Sequence, residues 1–100
     1  KDANFIGFAL YSMHNLPQAH LLKIVISQSG QGLGYGKSLL QLSQNYLFDK
    51  KLVTDIYLEV SEKNIRAINL YEQAGFVKIH RKKHYYASGC DALIMQLKSK

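Results

Sequence analysis

The chain has 100 residues, 47% of them hydrophobic and 11% aromatic, a composition typical of one folded domain rather than a disordered segment. Its 13 basic and 7 acidic residues give a net charge of +6, which favours anionic partners without selecting one. No apolar run approaches the roughly 20 residues that cross a bilayer, Cys90 is the single cysteine, and Lys1 to Asn4 lacks a signal-peptide layout, so we expect a cytoplasmic location.

The first half of the chain predicts two strands and a helix. Apolar residues fill 5–11 (FIGFALY) and 20–26 (HLLKIVI), and Pro17 marks a turn at 14–18 between them. A glycine-rich stretch then precedes a helix from about Tyr35 to Asp49. The predicted apolar face of this helix consists of Leu39, Leu42 and Tyr46, with Leu40 and Leu47 beside them.

The second half predicts three strands and a second helix. Residues 54–60 (TDIYLEV) alternate, which predicts a strand with Ile56, Leu58 and Val60 on one face and Asp55, Tyr57 and Glu59 on the other. A helix follows from about Asn64 to Gln73, with Gly75 suited to its C-cap. The remaining strands are predicted at 76–86 and 92–97, joined by a turn at Ser88-Gly89.

The resulting order, β-β-α-β-α-β-β, predicts one α/β domain with a mixed sheet over residues 1–100. The first two and the last two strands are close enough in sequence to pair as antiparallel hairpins. The middle strand has a helix on either side, so we expect it to run parallel to a neighbour.

The glycine-rich stretch fits two phosphate-binding patterns. Gly36-Lys37-Ser38 ends a Walker nucleotide loop, G-x-x-x-x-G-K-[ST], but that loop needs glycine where this chain has Gln31. The second pattern, Q-x-x-G-x-G from Gln31 to Gly36, allows backbone N–H groups before a helix to approach an anion closely. From this stretch alone, a glycine loop with a purely structural role is equally acceptable.

Four strings of the sequence form a combined pattern: QGLGYGKSLL (31–40), YLEVSEKNIRAINLYEQAGF (57–76), RKKHYY (81–86) and DALIMQL (91–97). Together they resemble the GNAT family of acetyl-CoA-dependent N-acetyltransferases, and within it the ribosomal-protein-alanine N-acetyltransferases. The resemblance covers most of the chain. It implies the GNAT fold, acetyl-CoA as cofactor, and transfer of acetyl to a protein N-terminal α-amine, such as that of a ribosomal protein.

The resemblance also implies which residues hold the cofactor. The glycine loop would bind the pyrophosphate, the end of the second strand would offer backbone groups to the pantetheine arm and the thioester oxygen, and Asn64 would contact the arm. The full set is Val25, Ile26, Gln31, Gly32, Leu33, Gly34, Tyr35, Gly36, Lys37, Ser38 and Asn64. By its chemistry alone, Asn64 also suits the N-cap of the second helix.

For catalysis, the resemblance implies Glu59 as the general base, acting directly or through a water, and Tyr71 as the acid that protonates the departing thiolate. Tyr85 and Tyr86 match a tyrosine pair beside the peptide-binding cleft of the family. From the residues alone, Glu59 is a solvated carboxylate on a strand, Tyr71 a core aromatic, and the tyrosine pair part of a β-hairpin. No metal is expected.

The sequence departs from the family pattern in three places. Residues 27–30 replace an Asp-Pro-x-Tyr-like turn, and His84 stands where asparagine is usual. Family members also carry a strand, two helices and another strand before the position that matches Phe5. We therefore expect that this part lies elsewhere, or that a partner chain or second copy covers the gap.

Several alternatives stay open. A GNAT enzyme that acts on a lysine side chain or a small amine is one, and an inactive relic that only binds CoA or a protein is another. The basic run 80–84 (HRKKH) could contact RNA phosphates, although it lacks the aromatic repeats of RNA-binding sheets. A metal pair of His80 and His84 would need a helix where a strand is predicted.

Overall fold

The computed structural model describes residues 7–27, 34–51 and 53–99, and within them the predicted order of strands and helices is confirmed. Among these described residues no helix is both long and apolar enough to cross a membrane. The elements are β1 (Gly7–Asn15), β2 (Gln18–Ile26), α1 (Tyr35–Asp49), β3 (Asp55–Ser61), α2 (Ile65–Gln73), β4 (Val77–Lys82) and β5 (Ala92–Lys98).

The strands form a mixed sheet in the order β1-β2-β3-β5-β4. β1 pairs with β2 and β4 pairs with β5 in antiparallel hairpins, as predicted. β3 lies parallel to β2, also as predicted, and antiparallel to β5 along its whole length.

The pairing between β2 and β3 is short. It joins Gln18–His20 to Asp55–Tyr57, and no further partners between the two strands occur among the described residues. β2 nevertheless continues to Ile26 and β3 to Ser61. The two strands therefore separate after His20 and Tyr57, which opens the sheet at its centre.

Both helices contribute to one hydrophobic core against the sheet. Ile56, Leu58 and Val60 of β3 are at most 5% exposed and pack in the same cluster as Leu40 of α1 and Ile68 of α2. The predicted alternation of β3 is thus confirmed, because Tyr57 and Glu59 point to the face without helices and are only partly buried.

The predicted apolar face of α1 is wrong at Leu42 and Tyr46, although Leu40 and Leu47, predicted beside it, do pack in or against the core. Leu42 is 70% exposed and Tyr46 61% exposed, whereas Leu40 is completely buried. Gln44 is also buried, and its Nε2 donates a 3.1 Å hydrogen bond to the carbonyl of Ala74 at the end of α2. Helical spacing is compatible with burial of either of two faces of α1, one through Leu42 and Tyr46 and one through Leu40 and Gln44. Contact with α2 buries the second face.

Strand boundaries differ from prediction at two turns. β1 extends to Asn15, which pairs with Gln18, so that the predicted turn at 14–18 shortens to Leu16 and Pro17. β4 ends at Lys82 instead of Tyr86. The residues that follow form a loop in which His84 has a φ of 52°, a left-handed conformation that a strand cannot contain.

The buried face of α1 predicts opposite results for two neighbouring leucines. Leu40→Ala should lower the free energy of unfolding by about 2–5 kcal/mol, because it leaves a cavity in packed core. Leu42→Ala removes an exposed side chain and should change that free energy by less than about 0.5 kcal/mol. Urea unfolding followed by circular dichroism measures both, and equal losses would contradict the assignment of the buried face.

Candidate active site

A cavity of about 820 Å³ lies where the end of β2 meets the start of α1 and one side of α2. Ile24, Arg66 and Leu70 line it although the sequence did not indicate them. The lining residues that the sequence analysis selected are Ile26, Gly34, Tyr35, Gly36, Lys37, Asn64 and Tyr71. The cavity thus brings together residues from three separate parts of the chain.

Some selected residues are not found in this cavity. Val25 does not line it, because its side chain alternates to the sheet face opposite that of Ile24 and Ile26. Ser38 is exposed on α1 outside the lining. Gln31, Gly32 and Leu33 lie outside the described residues.

The N-terminus of α1 opens into the cavity and is suited to an anion. Gly34 is the N-cap residue, with a φ of 82°, and no side chain of the described residues caps the helix there. The N–H groups of Tyr35, Gly36 and Lys37 precede the first intrahelical hydrogen bond, which runs from Ser38 N to Gly34 O. The first turn contains no acidic residue. N–H groups without an intrahelical partner, the helix dipole and a lysine therefore favour a phosphate.

Asn64 caps α2 at the edge of the same cavity. Its Oδ1 accepts a 3.2 Å hydrogen bond from the backbone N–H of Ala67, which confirms the capping role expected from its chemistry. The side chain is exposed and lines the cavity. Capping therefore leaves Asn64 accessible to a ligand.

Tyr71 belongs both to the core and to the cavity. Its ring packs against the hydrophobic cluster, tilted against Phe76 with ring centroids 5.9 Å apart, and the residue also lines the cavity. Burial, and then the nearby hydroxyls of Tyr11 and Tyr86, raise the pKa of Tyr71 above its ordinary value. The phenol stays protonated at neutral pH and can donate a proton or a hydrogen bond.

Glu59 lies on the sheet face without helices, and both its oxygens are engaged. Oε1 accepts a 3.1 Å hydrogen bond from the hydroxyl of Tyr85, and Oε2 accepts one of 3.1 Å from Lys82 Nζ. Burial alone would raise the pKa of Glu59, but the hydrogen bonds from Lys82 and Tyr85 together with the positive charge nearby outweigh it, so the pKa lies below its ordinary value. Glu59 is therefore a carboxylate at neutral pH.

The structure brings the tyrosine pair to Glu59, although the loop after β4 carries it instead of the predicted strand. The rings of Tyr85 and Tyr86 meet edge to face with centroids 5.0 Å apart. Burial, and then the charge of Glu59, raise the pKa of Tyr86. The charge of Glu59 thus acts on Tyr86, and Tyr86 in turn contributes to the raised pKa of Tyr71.

Two neighbours of Glu59 were missed by sequence reasoning. His20 Nε2 lies 4.0 Å from Glu59 Oε1, and its ring stacks on Tyr57 at 4.4 Å between centroids. Lys82 was considered only as part of a basic run. His20 is the cross-strand partner of Tyr57 in the parallel pair of β2 and β3, and Lys82 reaches Glu59 across β5. Only knowledge of the strand register could therefore have identified His20 or Lys82 as a neighbour of Glu59.

A network of hydrogen bonds holds the loop that carries Tyr85. Arg81 Nη1 donates to Glu62 at 2.8 Å and to Asp91 at 3.0 Å. Asp91 also accepts from the backbone N–H of His84, and its own N–H donates to Glu62. The left-handed φ of His84 gives a physical reason for the asparagine usual at this position, since asparagine adopts that conformation readily.

These contacts weaken the alternatives for the basic run. Arg81 and Lys82 are paired with carboxylates of the chain itself, which partly neutralises the positive charge that the run would offer to RNA phosphates. His84 Nδ1 lies 3.1 Å from the carbonyl of Gly89. Within the part of the chain that the structure describes, no three His, Cys, Asp or Glu side chains are grouped to hold a metal ion.

Comparison with known proteins gives one consistent family. Residues 1–76 match the model of the acetyltransferase (GNAT) family. The chain is 37% identical to an N-alpha-acetyltransferase of Sulfurisphaera tokodaii, over 94% of this chain and 63% of the relative. It is 35% identical to a [ribosomal protein bS18]-alanine N-acetyltransferase of Haemophilus ducreyi, over 94% of this chain and 66% of the relative.

Solved structures agree in fold. The ribosomal-protein-S18-alanine N-acetyltransferase of Escherichia coli matches with a TM-score of 0.81 and 34% identity, over 93% of this chain and 61% of that one. A chimeric spermidine N-acetyltransferase from Vibrio cholerae and hSSAT matches with a TM-score of 0.87 and 27% identity, over 95% of this chain and 60% of that one. The chain thus spans just under two thirds of the length of these relatives.

The two glycines at the start of α1 should respond oppositely to alanine. Gly34→Ala places a side chain on left-handed backbone and should destabilise the protein by about 1–2 kcal/mol. At Gly36, an added Cβ would meet Leu70 at 3.6 Å and Ile26 at 3.7 Å, which is ordinary contact. Gly36→Ala should therefore stabilise by up to about 1 kcal/mol through helix propensity. Thermal unfolding measures both, and a stabilised Gly34→Ala would refute the N-cap assignment.

The loop network should depend on the ionisation of Asp91. Hydrogen bonds from the His84 N–H and the Arg81 guanidinium lower the pKa of Asp91. Its contribution to loop order is complete above the ordinary pKa of about 3.9 and is lost as the pH falls through the lowered pKa. The amide proton shift of His84, followed by NMR, should titrate with a midpoint below about 3.9. Asp91→Asn should abolish this titration, and a higher midpoint would contradict the network.

Proposed function

Because the chain belongs to the acetyltransferase (GNAT) family, we propose that it is an acetyl-CoA-dependent N-acetyltransferase acting on protein N-terminal α-amines, of the kind that ribosomal proteins present. The observation that carries this proposal is that the start of α1, which is suited to bind an anion, opens into the same cavity that Tyr71 lines. A phosphate anchor and a proton donor thereby share one cavity beside the opened sheet.

The residues present fit acetyl-CoA. The first turn of α1 and Lys37 would hold its pyrophosphate, together with Gln31, Gly32 and Leu33 of the preceding loop. The strand β2, separated from β3 beyond His20, and the exposed amide of Asn64 would bind its pantetheine arm through hydrogen bonds. When bound, the cofactor supplies an acetyl thioester whose carbon–sulfur bond breaks as the amine nitrogen bonds to the carbonyl carbon.

Two side chains of the chain would move the protons. Tyr71, kept protonated by burial, would donate its hydroxyl proton to the departing sulfur. Glu59 would take the proton that the amine nitrogen loses, directly or through a water. Its lowered pKa makes Glu59 a weak base towards a free ammonium, but a nitrogen that is forming an amide is much more acidic. A carboxylate that is ionised at neutral pH is a strong enough base to take the proton from the nitrogen that is forming the amide.

An α-amine suits this site better than a lysine side chain or a polyamine. The α-amino pKa is about 8 and the lysine pKa about 10.4, so an N-terminus offers far more neutral amine near pH 7. One relative, 30% identical over 86% of this chain, is a spermidine N(1)-acetyltransferase of Vibrio cholerae, so polyamines are the second candidate.

Binding and turnover of acetyl-CoA test the proposal in two steps. Calorimetry should find one saturable acetyl-CoA site per chain. If no such site is found, only an inactive relic of an acetyltransferase or an unrelated binding role would remain. Thiol release should then be faster with an alanine-starting peptide than with spermidine or with an N-blocked peptide containing lysine. Saturable binding without turnover of any acceptor would favour the relic.

The proposed proton carriers predict separate kinetic effects. Glu59→Gln and Tyr71→Phe should each lower kcat by roughly 10²- to 10⁴-fold, the range typical of general acid–base groups. Both variants should bind acetyl-CoA as the unaltered protein does, because neither change removes a phosphate-binding group. A Glu59→Gln variant with an unaltered rate at pH 7 would disprove the base assignment.

A further inference from the structure

The ammonium of Lys82 occupies a small site of its own beside Glu59. Its Nζ lies 3.1 Å from Glu59 Oε2 and 5.2 Å from the centre of the Tyr85 ring. Tyr85 is itself fixed by its hydroxyl, which donates to the other oxygen of Glu59 at 3.1 Å. A carboxylate and an aromatic face that flank one cation form the usual arrangement by which proteins bind an ammonium group.

The occupant can leave this site easily. The side chain of Lys82 is 45% exposed, whereas that of Glu59 is only 20% exposed. An ion pair with one solvent-exposed member contributes little to stability, because water and salt compete with it. A long flexible lysine can therefore withdraw into solvent while the carboxylate and the ring stay in place.

We propose that Glu59 and Tyr85 form an ammonium-binding site in which Lys82 stands in for the acceptor amine, and that the α-ammonium of the acceptor must displace Lys82 to bind. Lys82 is then a specificity-determining residue that competes with every acceptor. This inference rests on the proposed N-acetyltransferase function, since it assigns the displaced site to the acceptor.

The other groups that face Glu59 do not replace Lys82 in this role. His20 of β2 approaches Oε1 at 4.0 Å, and the loop after β4 contributes the neutral phenols of Tyr85 and Tyr86. Only Lys82 combines a permanent positive charge with contact to Oε2 among the described residues. The hydrogen bond and charge of Glu59 in turn raise the pKa of Lys82, so the competing amine stays protonated.

Peptide binding without turnover tests the displacement. The ligands are an alanine-starting tetrapeptide and its N-acetylated form, which has the same side chains but no ammonium. Lys82→Met should bind the free peptide about two- to fivefold more tightly than the unaltered protein, the range that matches an exposed ion pair. Calorimetry should find no change for the acetylated peptide. Equal or weaker binding of the free peptide would overturn the proposal.

Two further variants control for charge. Lys78→Met removes a lysine from the same strand that makes no ion pair among the described residues, and it should leave both affinities unchanged. Lys82→Arg keeps the cation at the site and should behave like the unaltered protein. If Lys78→Met tightened binding as much as Lys82→Met, general repulsion would explain the effect and the proposed site would be wrong.

The titration of Glu59 separates this inference from the proposed function. The carboxyl ¹³C resonance of Glu59 should report a pKa that rises in Lys82→Met, because a hydrogen bond and a positive charge are lost. An unchanged pKa would show that the pair does not form in solution and would refute the inference. If no peptide binds any variant, the proposed acceptor is wrong. Methylammonium should then still shift this resonance at lower concentration in Lys82→Met, and failure to do so would refute the site.

Discussion

β2 and β3 run side by side for only three residue pairs and then separate, and the candidate site depends on that separation. A continuous parallel pair would use the backbone groups of β2 in the sheet and would close the route between its two faces. With the pair interrupted, the cavity at the start of α1 lies on one side of the opening and Glu59 on the other. The antiparallel partners on the outer sides, β1 and β5, hold the two strands apart in fixed positions.

The two halves of the site are built by different kinds of force. The half that contains Tyr71 and the start of α1 is fixed by the hydrophobic core, since Leu40, Ile68 and Leu58 position both helices against the sheet. The half that contains Glu59 and Tyr85 is fixed by hydrogen bonds and charges near the surface. Core packing resists changes in pH and salt, whereas surface ion pairs are screened and exchangeable. The half at the start of α1 is therefore rigid, whereas the half at Glu59 can adapt to what it contacts.

Electrostatics around Glu59 illustrate how a strongly basic chain can hold an ionised carboxylate in its candidate site. The net charge is +6, yet Arg81 and Lys82 are paired with Glu59, Glu62 and Asp91. These pairs keep the carboxylates ionised and order the loop that carries the two tyrosines. The same lysine that lowers the pKa of Glu59 also contacts one of its oxygens, so one residue both keeps this carboxylate ionised and covers part of it.

The sequence by itself determined the order of the elements, the extent of α1, the alternation of β3 and the cap of α2 by Asn64. Each of these follows from interactions between residues close in the chain: helical and strand periodicity, and a side chain bonding to a backbone group three residues away. Tertiary structure alone decided which stripe of α1 is buried, where β4 ends, and that His20 and Lys82 lie beside Glu59. These features depend on strand register and helix rotation, which are set by contacts between residues distant in the chain. The local spacing of apolar residues is compatible with more than one register and more than one rotation.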